Sequence, residues 1–411
     1  MRHSPTPFTC RYVRVAAGAL LFLLATLCVP SMAIGQPRTV TFGYLGLTGG
    51  VPVGYLGPDG GMNLKSFGLG SGQHSALKAV EMAVVEQNKL GRYYNVRFKL
   101  VHATGDTAPV LEKHLAEFHK LGVRFVVADL PAPLLVALAD ATQKSGMLMF
   151  NIAATDNALR NQQCARNLFH LVPSRAMLAD ALAQYLITRK WREWLIVSGP
   201  RAEDAAFVAA LQRAARRYGG QIREVRTWKD NADMRRTAEA EFPLFTAKAE
   251  YHVVLVADEG NHFGEFLNHN IYLPRPVAGT QGLVAQGWFW GFAQWGATQL
   301  NARHIRATGQ KMTSTDWAGW AAITALGEAV TQSGADSLEN VRAHLTGDNA
   351  KIQGYKGVTL SFRPWNNQLR QPVILATPRA RISVSPQPGF LHPTTTLDTL
   401  GFDRKERTCR F

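Results

Sequence analysis

The sequence predicts an α/β protein in which parallel strands and helices form two doubly wound, Rossmann-like lobes. Two observations support this fold class: short runs of β-forming residues alternate with amphipathic helical stretches, and the alternation begins again after residue 152. The chain has 411 residues, which is enough for two or three domains. Its 46% hydrophobic and 18% charged residues are ordinary for globular proteins and exclude disorder as the main state.

The first half of the chain contains one complete set of alternating elements. Leu77, Val80 and Val84 share one helical face and indicate a helix from residue 75. The Gly-rich segment 49–72 has no helical period and predicts a long loop before this helix. In chain order we expect strands at 39–47, 96–101, 123–128 and 147–152, and helices at 75–88, 109–120 and 133–144.

The second half repeats this layout without repeating the sequence. Leu178, Leu182 and Leu186 predict a helix, and Thr315-Asp316 is typical of a helix start. We expect further helices at 203–218, 293–307 and 315–333, strands at 194–197, 221–227 and 251–257, and a strand or crossing segment at 275–282. The predicted N-terminal lobe is 38–152 with about 282–350, and the C-terminal lobe is 153–281 with about 351–411.

The first 33 residues have the pattern of a cleavable secretory signal. Three arginines precede the 15-residue apolar run 15–29, and small residues at 31 and 33 suit cleavage after Ala33. A membrane anchor is the alternative, but the run is shorter than the roughly 20 apolar residues that span a bilayer. Leu27 before Cys28 argues against a lipoprotein. We therefore expect a protein without stable membrane insertion outside the cytoplasm, which in a bacterium with two membranes is the periplasm.

Removal of this signal leaves two of the four cysteines, Cys164 and Cys409. In an oxidising compartment such a pair usually forms a disulfide, and here it would hold the C-terminal tail. The alternative is two unrelated thiols. Two cysteines without a neighbouring histidine at ligand spacing do not predict a zinc site.

The charge of the chain raises the question of an anionic partner. The precursor carries +15, and loss of the three signal arginines leaves +12. These basic residues are interspersed with acids, and no nucleic-acid-binding motif accompanies them. A solvated basic surface is therefore the preferred interpretation, and no nucleic-acid partner is expected.

Signatures of catalysis and cofactor binding are largely missing. The segment GLGSG at 68–72 lacks the strand-turn-serine context of a nucleophile, and no phosphate-binding or dinucleotide loop is found. His114 and His119 are five residues apart, not the four of a zinc helix, and His262 and His269 are seven apart on an expected amphipathic helix. We expect no metal and no cofactor. Carboxylates at strand ends, at 129 and 258–259, suit either acid–base chemistry or hydrogen bonds to a solute.

Several segments of the chain resemble the type I periplasmic solute-binding proteins of the branched-chain amino acid ABC transporter class. The first are VTFGYLG at 40–46, AVEMAVVEQN at 79–88 and VHATGD at 101–106. Others resemble a subfamily of ABC-transporter binding proteins associated with pyrroloquinoline-quinone-dependent alcohol oxidation; they are PSRAMLADAL at 173–182, VADE at 256–259, RPVAGT at 275–280, QLRQP at 368–372 and LDTLG at 397–401. The resemblance covers nearly the whole chain after the signal.

The resemblance implies two lobes joined by three crossovers, with a ligand held between them by hinge closure. In amino-acid binders of this class, hydroxyl-bearing loops after the third and fourth strands hold the ligand, whereas here only Thr155 keeps a hydroxyl. Trp288 begins an aromatic run that either stacks on a ligand or fills the core. Arg201 is either a cleft cation or a surface charge. The candidate ligand contacts are Asp129, Pro131, Asn151, Ala153, Thr155, Asp156, Arg201, Asp258, Glu259, Thr280 and Trp288.

Three functions stay open on the sequence. The leading interpretation is a non-catalytic receptor that binds a small organic solute and delivers it to an ABC transporter permease. The second is a ligand-sensing or partner-docking protein without a transport role. The third is an enzyme that uses the cleft carboxylates.

Overall fold

The computed structural model describes residues 36–49, 75–229, 241–333, 337–348, 350–406 and 408. Its strands are β1 (Arg38–Gly46), β2 (Val96–Thr104), β3 (Phe125–Asp129), β4 (Leu148–Asn151), β5 (Leu168–His170), β6 (Glu193–Ser198), β7 (Gln221–Thr227), β8 (Val253–Ala257), β9 (Val277–Gly279), β10 (Leu283–Gln286), β11 (Ile352–Gln353), β12 (Thr359–Phe362), β13 (Leu369–Arg370), β14 (Val373–Ala376) and β15 (Arg381–Ser385). Its helices are α1 (Ser75–Gly91), α2 (Ala108–Lys120), α3 (Ala132–Lys144), α4 (Arg175–Thr188), α5 (Ala202–Tyr218), α6 (Ala297–Thr308), α7 (Ser314–Gln332) and α8 (Leu338–Thr346).

Three sequence predictions concern residues that the structure does not describe. The signal segment 1–33, the Gly-rich segment from residue 50 onward and Cys409 lie outside the described ranges. Within those ranges, the search for a helix long and apolar enough to cross a bilayer finds none.

The first lobe is built on a five-stranded parallel sheet with the order β2-β1-β3-β4-β5. Helices α1 and α7 pack together on one face, where Val80 and Trp317 are fully buried. On the other face, Leu115 of α2 and Leu135 of α3 are buried against the sheet. Burial of each such side chain contributes roughly 1.5–3 kcal/mol, so the apolar helix faces read from the sequence hold this lobe together.

The second lobe has a seven-stranded sheet with the order β15-β14-β10-β9-β8-β6-β7. The strands from β10 to β7 are parallel, while β14 and β15 are antiparallel to their neighbours. Helices α4 and α5 cover one face of this sheet. Both lobes therefore have the doubly wound α/β fold that the sequence predicts.

The chain passes between the lobes three times: after β5, after β10 and between β13 and β14. The strands β11, β12 and β13 form a small antiparallel sheet. Its Leu360, Phe362 and Leu369 belong to the core of the first lobe. Three crossings give a hinge of several strands, which permits the lobes to move relative to one another without separating.

Strand membership departs from the predicted lobe ranges at three places. β5 lies beyond residue 152 but pairs with β4 in the first sheet. β10 begins after residue 281 but pairs with β9 in the second sheet. β11 to β13 lie after residue 350 but pack on the first lobe. These strands have only two to four residues, which is too short for a periodic pattern, so their sequence carries little information about which sheet they join.

Two local predictions were wrong. Helix α7 is capped by Thr313, not Thr315: the Thr313 hydroxyl accepts a hydrogen bond from the Asp316 N–H (3.2 Å), and the Asp316 carboxylate accepts one from the Thr313 N–H (2.9 Å). The stretch that contains His262 and His269 is not an amphipathic helix and contains only a short 3₁₀ segment, Gly264–Asn268.

Candidate functional site

The carboxyl ends of the parallel strands in the two lobes face each other, and Arg175 joins them. Its guanidinium donates to both carboxylate oxygens of Glu259, which follows β8 of the second lobe, at 2.7 and 2.6 Å. It also pairs at 2.9 Å with Asp156, in the loop after β4 of the first lobe. Because ligands of doubly wound folds bind at this edge of the sheet, we take the space around this bridge as the candidate site.

The charges of Arg175 and Glu259 are mostly removed from water, whereas the Asp156 side chain is 33% exposed. Arg175 is 4% exposed and Glu259 is 7% exposed. Burial lowers the pKa of Arg175, but the carboxylates of Glu259 and Asp156 outweigh burial and raise it above its ordinary value. Burial raises the pKa of Glu259 despite the opposing effect of Arg175. The bidentate Arg175–Glu259 pair has a fixed geometry, so it positions the guanidinium for its single contact to Asp156 of the first lobe.

Two predicted ligand contacts, Asp156 and Glu259, are thus brought together by a residue that the sequence analysis did not select. Arg175 is the first residue of α4 and follows the capping residue Ser174. A signal was available: an arginine in a helix whose other residues are mostly buried needs an acidic partner.

In the second lobe, Asp258 and Thr280 organise the loop that carries Glu259. The Asp258 carboxylate accepts three backbone N–H groups, from His262 (3.0 Å), Phe263 (2.8 Å) and Gly264 (2.7 Å). The Thr280 hydroxyl accepts the Asp258 N–H at 3.0 Å. Both carboxylate oxygens of Asp258 therefore accept hydrogen bonds from the loop that carries and orients Glu259.

In the first lobe, Asn151 closes the loop after β4 on itself. Its side-chain oxygen accepts the N–H groups of Ala153 (3.1 Å) and Ala154 (2.8 Å). Its amide nitrogen donates to the Ala154 carbonyl (2.8 Å) and lies 3.1 Å from Nδ1 of His170. In this arrangement, the N–H of Ala153 is not available to an anionic ligand.

Asp129, the last residue of β3, has one engaged and one unengaged oxygen. The hydroxyl of Tyr44 donates to Oδ2 at 2.8 Å, while Oδ1 is buried and has no hydrogen-bond partner in the part of the chain that the structure describes. The side chain is only 7% exposed. Burial raises the pKa of Asp129 to about 6, the Tyr44 hydrogen bond lowers it and the charge of Asp316 adds to the rise.

Three further candidates lie near strand or helix ends without a marked role. Pro131 precedes α3, and its carbonyl accepts the N–H groups of the first helical turn. The Thr155 carbonyl accepts the Arg175 N–H at 2.9 Å. Arg201 is exposed before α5, where its N–H donates to Asp204.

Trp288 lies in the core of the first lobe. It is 1% exposed, stacks on Trp317 with ring centroids 5.9 Å apart, and donates through Nε1 to Asn301 at 2.9 Å. Both its face and its polar atom are engaged, so in this arrangement it packs the core and does not stack on a solute.

The three crossings are tied together by a second group that the sequence analysis missed. The ammonium of the buried Lys356 donates to the carbonyl of Gly287 at the second crossing and to the side-chain oxygen of Gln371 at the third, the latter at 2.5 Å. The Gln371 amide in turn donates to the Leu171 carbonyl at the first crossing. Lys356 also lies 3.7 Å from the ring centre of Trp317.

Cys164 follows a short 3₁₀ segment, Asn157–Arg160. The partner that the sequence predicts, Cys409, lies outside the described residues, so the pairing stays a prediction. A search of the described residues for clustered metal-ligating side chains finds no group of three or more.

The model of the periplasmic binding protein family matches residues 50–268, just over half of the chain. The chain belongs to the periplasmic binding protein family. Members of this family bind substrates and are not enzymes, so this periplasmic binding protein is not an enzyme either. No curated protein sequence matched it.

Solved structures of other binding proteins share the fold of this periplasmic binding protein. A branched-chain amino acid ABC transporter ligand-binding protein from Burkholderia xenovorans is 16% identical with a TM-score of 0.68, over 84% of this chain and 95% of that one. A leucine-, isoleucine-, valine-, threonine- and alanine-binding protein from Brucella ovis, in a closed conformation, is 13% identical with a TM-score of 0.66, over 85% and 92%.

A third structure holds a different kind of ligand. It is an ABC transporter solute-binding protein from Rhodopseudomonas palustris in complex with 3,4-dihydroxybenzoic acid, 14% identical with a TM-score of 0.60, over 82% of this chain and 93% of that one. At these identities the similarity shows the type I periplasmic binding protein fold, in agreement with the sequence prediction.

Proposed function

We propose that this periplasmic binding protein is the receptor of an ABC importer and closes its two lobes around a small organic solute. The single observation that supports this proposal best is the Asp156–Arg175–Glu259 bridge. In it, one guanidinium pairs with a carboxylate at the strand edge of the first lobe and with another at the strand edge of the second lobe. A solute seated beside this bridge touches both lobes at once, so it favours closure by its differential affinity for the closed state.

The solute class is the finer part of the proposal. The resemblance of 173–182 and 397–401 to the subfamily associated with pyrroloquinoline-quinone-dependent alcohol oxidation supports testing alcohols and their acids. Two of the similar structures suggest further solute classes to test. One is a protein that binds leucine, isoleucine, valine, threonine and alanine, and the other was solved with 3,4-dihydroxybenzoic acid.

The test is a thermal-shift screen of the mature protein with aromatic alcohols, their acids, amino acids, 3,4-dihydroxybenzoic acid and pyrroloquinoline quinone. We expect one class to raise the melting temperature, because a ligand that binds only the folded state stabilises it by about 2.7 kcal/mol at 100 times its Kd. A flat response to every class contradicts the receptor role and favours a sensing or partner-docking protein. Permease and ATPase genes next to the gene for this chain would distinguish import from sensing.

Export to the periplasm and the signal segment are also part of the proposal. The family supports a periplasmic location. Mass spectrometry of the exported protein should find a chain that begins at residue 34. An intact N-terminus would contradict cleavage after Ala33.

A further inference from the structure

The carboxylate of Asp129 is buried and has a partner for only one of its two oxygens. Oδ2 accepts a hydrogen bond from the Tyr44 hydroxyl, whereas Oδ1 is buried and has no hydrogen-bond partner among the described residues. A buried carboxylate oxygen without a donor loses the hydrogen bonds that it would make to water, and nothing in the protein replaces them. Such an oxygen at a ligand-binding edge points to a missing donor.

The position of this carboxylate is fixed by the strands around it. Gly46, the last residue of β1, lies directly opposite Asp129 in the sheet. The Tyr44 ring folds over Gly46, where an added Cβ would lie only 3.1 Å from the ring. A side chain larger than glycine at position 46 would crowd the Tyr44 ring. Gly46 therefore leaves room for the ring to lie where its hydroxyl reaches Asp129.

The charged groups around Asp129 do not neutralise it. Asp316 at the start of α7 is close enough to raise the pKa of Asp129 further. The Asp316 carboxylate accepts hydrogen bonds from the Ser75 hydroxyl (2.7 Å) and the Thr313 N–H, and Nε2 of His304 on α6 lies 3.4 Å away. Among the described residues, no lysine, arginine or histidine forms an ion pair with Asp129.

The loop after β4, next to Asp129, has no free N–H group at Ala153 or Ala154 to bind an anion. The N–H groups of Ala153 and Ala154, which follow the adjacent strand β4, are both taken by Asn151. A carboxylate solute placed here would meet the charge of Asp129 without a compensating donor from this loop.

We propose that Oδ1 of Asp129 accepts a hydrogen bond from the bound solute, so that the solute presents an alcohol hydroxyl or an amine, not a carboxylate, to the first lobe. This inference rests on the proposed receptor function. It narrows the solute class to molecules that carry a hydrogen-bond donor at the end that enters the first lobe.

The test uses matched compounds that differ only in this group: benzyl alcohol, benzylamine and benzoate, together with 3-methylbutan-1-ol, 3-methylbutylamine and 3-methylbutanoate. Binding to the mature protein is measured by thermal shift and calorimetry. We expect the alcohol or the amine of at least one set to bind at least tenfold more tightly than its acid, since hydrogen bonds to charged groups are worth at least this much. Which of the two binds better distinguishes a neutral from a cationic solute.

The variant Asp129→Asn should reverse this preference. Its amide oxygen takes the Tyr44 hydrogen bond, which turns the NH₂ group toward the solute. An ammonium group then meets a donor, whereas an alcohol oxygen can still accept from the NH₂ group but loses its bond to a charged acceptor. We expect at least a tenfold loss for the amine, a smaller loss for the alcohol and a gain for the acid. Asp106→Asn is the matched control, because Asp106 is exposed in the loop after β2 and its carboxylate accepts the Thr48 N–H. This substitution should leave binding unchanged.

A second measurement does not depend on the variant. In the wild-type protein, binding of the alcohol should strengthen between pH 5 and 7 as Asp129 loses its proton, with Tyr44, Asp316 and His304 as the other titratable groups nearby. If the acids bind and the alcohols and amines do not, the inference is overturned while the receptor function stands. If no compound of any class binds, both are overturned.

Discussion

At the scale of single residues, Arg175 is the side chain that links the strand edges of the two lobes. It carries one positive charge and contacts two carboxylates, one from each lobe. The charge of the bridge is therefore not balanced, and removal of the cation leaves Glu259 buried without a partner.

We predict that Arg175→Met lowers the free energy of unfolding by about 3–5 kcal/mol at neutral pH, because an uncompensated buried charge remains. Urea denaturation measures this. Arg223→Met is the matched control, since Arg223 pairs with Glu193 at the surface and should cost less than about 1 kcal/mol. Equal effects of the two substitutions would show that the bridge does not contribute to stability.

Asp129 makes a separate prediction about stability and pH. Its folded-state pKa is about 6, above the ordinary value of 3.8, so the folded protein loses stability as pH rises from about 4 to 6. Asp129→Asn removes that cost and should stabilise the ligand-free protein at pH 7 by up to about 3 kcal/mol. Near pH 4 the substitution should have little effect. Thermal melts at both pH values check this, and equal shifts at both would contradict the raised pKa.

At the scale of elements, the helices and long strands were the part of the fold that the sequence predicted well. The buried faces of α1 and α2 repeat at helical spacing, β8 is an uninterrupted apolar run, and β3 is apolar up to its last residue, so local pattern and burial agree. The sequence did not predict β5, β10 and β13, because strands of two to four residues are too short to show a periodic pattern. Similarly, the candidate carboxylates could be found at strand ends, whereas their pairing with Arg175 required the tertiary structure.

The three segments that cross between the lobes are connected to one another by hydrogen bonds of Lys356 and Gln371. Lys356→Met removes the cation that joins Gly287 and Gln371, and leaves their oxygens buried without that donor. We predict a loss of about 2–4 kcal/mol in the free energy of unfolding, measured by urea denaturation. Lys351→Met, at an exposed position of the same segment, should change it by less than about 0.5 kcal/mol. If Lys356→Met leaves the free energy of unfolding unchanged, the hydrogen bonds of Lys356 do not stabilise the three crossings.

At the scale of the whole molecule, the C-terminal tail runs from the second lobe to the first. Arg213 of α5 donates to the carbonyl of Gly401 (3.0 Å) and to Glu406 (2.7 Å). Further along, the N–H of Thr408 donates to Asn161 of the first lobe at 2.9 Å. These contacts bring the tail to within a few residues of Cys164 and support its predicted pairing with Cys409.

We predict that Cys164→Ser, or reduction of the wild-type protein, lowers the free energy of unfolding by about 2–4 kcal/mol, because a cross-link restricts the unfolded chain. Peptide mapping without reduction should recover one fragment that contains both Cys164 and Cys409. Two free thiols in the unfolded, unreduced protein would contradict the pairing.

The lobes, their crossings and the Arg175 bridge together describe a molecule that holds a small solute between two strand edges. The most direct measurement is a crystal structure with the compound that stabilises the protein most. We expect density for that compound beside the Arg175 bridge, with its donor group on Oδ1 of Asp129 and a second contact to a residue of the second lobe. A compound bound to one lobe only, or on an outer surface, would contradict closure around a solute.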